Sequence, residues 1–125
     1  MRPCLHAIEL HMIEDYLLWK VAIRQAICQL ADFNKQQSNK LADEGELTVF
    51  LSIVDCIYVN SRFTNFLAYR AWQQAGLSDA VGNGLIKLQQ KLDAYDEPDT
   101  DAAIAVDPLW NEIVMLASTV IFLMN

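Results

Sequence analysis

The stretch Leu47–Ala75, LTVFLSIVDCIYVNSRFTNFLAYRAWQQA, decides the fold. Read at helical spacing, one face carries Leu47, Phe50, Leu51, Val54, Ile57 and Tyr58, and a second carries Val49, Ile53, Cys56, Phe63 and Leu67. An amphipathic helix shows one apolar stripe, whereas a helix apolar most of the way round is surrounded by others. A strand reading competes at the start, where Val49, Leu51 and Ile53 alternate. It fails because helical register continues through Phe63, Phe66, Leu67 and Ala71 with no turn residue between. The stretch is therefore expected to be a central helix, kinked or split near Asn60–Ser61 where helix propensity drops.

Outward from it, Leu5 to Phe33 repeats Leu5, Ile8, Met12, Tyr16, Trp19, Ile23, Ala26, Leu30 and Phe33 in steps of three and four, a helical seam. The polar run Asn34–Ala42 reads as a connecting loop, and Asp43 with Glu46 as a capping-box-like start for the central helix. Gly76 is a natural residue just past a helix end, and Ser78 or Asp79 a natural N-cap. A third helix over 79–95 lines up Val81, Leu85, Leu88, Leu92 and Tyr95; Gly82 and Gly84 either weaken it or admit a close neighbour. Residues 96–106 read as a loop. Asp107-Pro108 then gives an N-cap and a proline at the first helical position, opening a fourth, nearly apolar helix to about Leu123. The expected fold is all-α: a single-domain antiparallel bundle of four or five helices around the central helix 47–75, occupying residues 1–125.

Composition agrees with a globular chain, at 54% hydrophobic and 20% charged residues. Cys4, Cys28 and Cys56 are odd in number and form no C-x-x-C pair, so no disulfide framework or zinc knuckle is indicated. No signal peptide is evident, and the apolar stretch Ile113–Met124 is short of the roughly 20 residues a membrane span needs. A soluble, cytoplasmic protein without a membrane partner is the expectation.

Charge is unevenly placed. Residues 1 to 91 carry nine acids and all nine bases, while residues 92 to 125 carry seven acids and no base, so the net charge of −7 belongs to the last quarter. Such a chain repels nucleic-acid backbones and attracts basic partners.

Catalytic and metal chemistry find little support. His6, Glu9, His11, Glu14 and Asp15 crowd the first helix, but residues five apart point about 140° away from one another and cannot clasp one ion. The aspartates 96, 99 and 101 lack the glycine and glutamate that a calcium loop requires. No nucleophile elbow, P-loop, dinucleotide fingerprint or H-E-x-x-H is present. The chain is read as a non-enzyme with no metal and no cofactor.

Binding remains. Asp93, Asp96, Glu97, Asp99, Asp101 and Glu112 surround Trp110, one turn into the last helix, and make the expected surface for a basic protein partner. Interface energy concentrates in aromatic anchors, and surrounding charge accelerates encounter. A competing site is a small-ligand pocket on the central helix with Asp55 and Arg62 as its polar residues. A third possibility is a homodimer through the apolar C-terminal helix. In size, charge and helical class the chain resembles the small acidic immunity proteins with which bacteria neutralise nuclease toxins; that resemblance implies an inhibitor of a basic toxin and carries over no residue.

Overall fold

The computed structural model describes residues 15–38 and 47–124. Among these residues all regular structure is helical: α1 Tyr16–Ala31, α2 Phe33–Ser38, α3 Thr48–Asp55, a π-helix Cys56–Asn60, α4 Phe63–Ala68, α5 Ala71–Gln74, α6 Asp79–Ala94, α7 Asp101–Ala105 and α8 Pro108–Met124.

Three long helices carry the frame. α8 packs against both α1 and α6. It runs antiparallel to α6, since Gly84 faces Val120 near one end while Lys91 meets Glu112 near the other. Of the seams expected from periodicity, Trp19, Ile23, Ala26 and Leu30 on α1 and Val81, Leu85 and Leu88 on α6 are buried, while Tyr16, Leu92 and Tyr95 are half-buried; on α8 the buried face is Trp110, Ile113, Ala117 and Val120. Their three- and four-residue steps place each set on one face, which burial removes from water.

The segment 47–75 is not one continuous helix. It passes from α3 into the π-helix, whose Cys56 carbonyl accepts the Ser61 N–H five residues on at 2.9 Å. Arg62 then adopts left-handed backbone at φ 55, and after α4 Arg70 does so again at φ 53. The break expected near Asn60–Ser61 is present; the second, at Arg70, was not foreseen. Arg70 ends α4 as Gly76 ends α5, in the left-handed position that follows a helix and is usually taken by glycine. Beyond Gly76, the Leu77 N–H reaches the Trp72 carbonyl and the Gly76 N–H the Gln73 carbonyl, the paired bonds of a Schellman end.

Two loops also contain helix. Phe33–Ser38 is helical where a loop was expected from Asn34, and Thr100 caps the short α7 inside the expected loop 96–106, its hydroxyl oxygen accepting the Ala103 N–H at 3.0 Å. Asp15 caps α1 by accepting from Leu17 and Leu18, both at 3.1 Å. Residues 5–14 of the expected first helix, the capping pair Asp43 and Glu46, and His6, Glu9, His11 and Glu14 lie outside the described residues.

Gly82 and Gly84 admit close neighbours. A Cβ at Gly82 would stand 2.6 Å from the Trp72 ring, and one at Gly84 2.9 Å from the Val120 side chain. Trp19 lies at 0% exposure with its indole N–H donating to the Ser61 carbonyl at 2.7 Å, which ties α1 to the break after the π-helix. No described helix is long and apolar enough to cross a membrane.

Candidate functional site

The acidic quarter forms one end of the molecule, where the C-terminal end of α6, the strap 95–100, α7 and the first turn of α8 meet. Side-chain bonds hold it in place. The Tyr58 hydroxyl donates to Asp93 at 2.6 Å, and the Tyr95 hydroxyl to Asp107 at 2.7 Å. The other oxygen of Asp107 accepts the Leu109 N–H at 3.0 Å, so one carboxylate both caps α8 and anchors the strap. The Asn111 amide donates to the carbonyls of Ala105 and Asp107 at 3.2 and 3.0 Å.

The sequence-predicted surface residues divide. Asp96, Glu97 and Asp99 are exposed and lie within four residues of one another. Asp93 is exposed and bonded to Tyr58, and Glu112 is exposed and paired with Lys91 at 3.5 Å. Asp101 and Trp110 are corrections. Asp101 is at 0% exposure, and its carboxylate accepts the N–H groups of Thr48, Val49 and Phe50 at 3.0, 2.8 and 3.0 Å. It supplies the cap that Leu47, at the N-cap position of α3, lacks. Trp110, also at 0%, meets Phe33, Phe50 and Tyr95 with ring centroids 5.2, 5.3 and 5.1 Å away. Neither side chain is open to solvent.

What sequence reasoning missed is the apolar surface beside the acids. Val106 is 77% and Leu109 62% exposed. Between α6 and α8 a groove of about 190 Å³ is lined by Ala94, Tyr95, Leu109 and Ile113, with the Lys91–Glu112 pair on its border. Helical phase carries the signal: with Trp110, Ile113 and Ala117 on the buried face of α8, Leu109 and Glu112 fall on the open one.

Both tyrosines register the local field. Burial raises the Tyr95 hydroxyl well above the ordinary tyrosine range, followed by its bond to Asp107 and the charges of Asp107, Glu97 and Asp96. Burial likewise raises Tyr58, followed by the bond to Asp93 and that residue's charge. Both hydroxyls therefore stay protonated donors at neutral pH, with the carboxylates as acceptors.

The competing pocket at Asp55 and Arg62 does not take the expected form. Asp55 is exposed and Arg62 half-buried, and the cleft beside the π-helix is lined on that side by Cys56, Asn60 and Ser61 instead. Cys28 and Cys56 are free thiols, each half-buried. Among the described residues no three His, Cys, Asp or Glu side chains are grouped to hold a metal ion.

No protein-family model, curated protein or solved structure matches the chain.

Proposed function

We propose that the protein is a non-enzymatic binding module that engages a basic protein partner through its acidic end. The observation that carries this reading is the juxtaposition of exposed Asp96, Glu97 and Asp99 with exposed Val106 and Leu109. Carboxylates steer a basic partner in, and the apolar pair with the adjacent groove gives it surface to bury. The strap is held by Tyr95–Asp107 and by Asp101, so the carboxylates are presented with little ordering left to lose on binding. Blocking a basic toxin, as immunity proteins do, is the form of this function that size, charge and class favour.

The test is an affinity pull-down at low and high salt from lysate of the source cells, followed by titration of the recovered partner against D96N/E97Q/D99N and Leu109→Ala. The expected result is a basic protein released by salt, with a flatter salt dependence for the triple variant and weaker binding for Leu109→Ala. Binding that neither variant changes refutes the proposal.

A second reading rests on α8. Met115, Phe122 and Leu123 are 70%, 76% and 45% exposed on a helix with no charged residue after Glu112, a surface suited to a homodimer. Light scattering across a concentration series tests it, and a monomer throughout refutes it.

A further inference from the structure

The broken helix and α1 enclose a second feature, unrelated to the acidic end. α1 turns Ala22 and Ala26 toward the π-helix, and because each side chain is a single methyl, a cleft of about 210 Å³ stays open between the two elements. Gln25 and Gln29, one turn apart on α1, stand on one wall, and Cys56 and Asn60, one turn apart on the π-helix, stand on the other. Ser61 also lines the cleft but is committed elsewhere: its hydroxyl donates to the Ile57 carbonyl at 2.7 Å and its carbonyl accepts from Trp19.

Among the described residues the carboxamides are not so committed. Gln29 uses its backbone carbonyl to accept from Gln36 at 3.0 Å, and the Asn60 amide makes a long 3.8 Å contact with the Cys56 sulfur. Each carboxamide offers two N–H donors and one carbonyl acceptor. Among the described residues no charged side chain lines the cleft. The wall that carries Asn60 leaves α-helical geometry twice within seven residues, in the π-helix and at left-handed Arg62. Such departures carry a conformational cost and concentrate at binding sites.

We propose that this cleft binds a small, uncharged, planar molecule bearing a carboxamide or lactam edge. Three amide heads pair donor with acceptor against such an edge. Among the described lining residues a carboxylate ligand meets no cation, and a purely apolar one makes no use of the amide donors and acceptors. The volume lies below the roughly 300 Å³ at which drug-sized pockets begin, so the ligand is a single ring or little more.

Nicotinamide and nicotinate provide the test, since they share a ring and differ in carboxamide against carboxylate. Each is titrated to millimolar concentration into the full chain, following the side-chain NH₂ resonances of Gln25, Gln29 and Asn60 and the rate at which iodoacetamide alkylates Cys56. Nicotinamide is expected to shift those resonances and slow alkylation in proportion to occupancy, and nicotinate to do neither. Asn60→Leu and, separately, Gln25→Ala, both at exposed positions, should lose the shifts while keeping the thermal midpoint. The proposal is overturned if neither compound acts, if the two act equally, or if both variants respond as the parent does.

Discussion

Asp101→Ala isolates a cap supplied from 53 residues away in the chain. In the parent, one carboxylate oxygen accepts from Thr48 and Val49 and the other from Phe50. Bonds to a charged acceptor contribute about 1.5–3 kcal/mol each, but they share one group and do not add. Thr48 is exposed and Val49 half-buried, so water replaces the acceptor readily at the first and partly at the second, while Phe50 is 7% exposed and its N–H stays dry. One bond lost in full and two in part give an expected loss of about 3 kcal/mol, above the ~1 kcal/mol typical of a local cap. Asp101→Asn keeps one acceptor oxygen but turns an NH₂ toward one of the donors, and should cost about half as much. Urea denaturation measures both, and amide exchange locates the effect, with Thr48, Val49 and Phe50 losing protection before the α6 and α8 amides do. A loss below about 1 kcal/mol for Asp101→Ala, or a Phe50 amide still protected, refutes the assignment of Asp101 as the cap of α3.

Three further outcomes are expected. Gly82→Ala should destabilise by about 1–3 kcal/mol in thermal or urea unfolding, because its Cβ meets the Trp72 ring at 2.6 Å and overpacking outweighs the gain of roughly 1 kcal/mol in helix propensity. Left-handed backbone predicts opposite signs at two helix ends: Arg70→Gly should stabilise and Gly76→Ala, with open space around its Cβ, should destabilise, each by about 1 kcal/mol in the same assay. At alkaline pH the raised Tyr58 and Tyr95 hydroxyls bind protons more tightly folded than unfolded, so their contribution is complete below the unfolded value near 10 and is lost progressively above it. Y58F/Y95F should flatten that alkaline decline in a pH series of urea midpoints, and an unchanged slope counts against it.

Where a structural choice was local, the residues announced it. Asp107-Pro108 opens α8 and Ser78 opens α6, its hydroxyl accepting the Val81 N–H at 3.3 Å, because an N-cap works within one turn of its own residue. The seams Trp19–Ile23–Ala26–Leu30 and Val81–Leu85–Leu88 were legible because period alone sorts inside from outside. Trp110 was misplaced on the surface because its size suggested an anchor, whereas it shares the buried face of α8 with Ile113, Ala117 and Val120. Asp101 was not, since nothing in Thr100-Asp101-Ala102 says that the carboxylate turns toward residues 48–50. The first break was signalled by the low helix propensity of Asn60–Ser61, but the second was hidden, because Arg70 occupies a position where glycine or asparagine is the usual signal. The candidate site was thus half legible: its charge is written in the composition, and its apolar part depends on which face of α8 the bundle covers.

The arrangement of α8 between α1 and α6 also sets when the chain can fold. Neither of those helices has α8 beside it until residues 108–124 have left the ribosome. Ribosomes add about 5–20 residues each second, so the nascent chain passes several seconds with the α8-facing sides of α1 and α6 uncovered, while their other sides have segment 47–75 to pack on. The frame of α1, α6 and α8 is therefore completed only when α8 docks between the other two. During that interval the exposed seams are the surface on which a chaperone, or another nascent copy, has its opportunity.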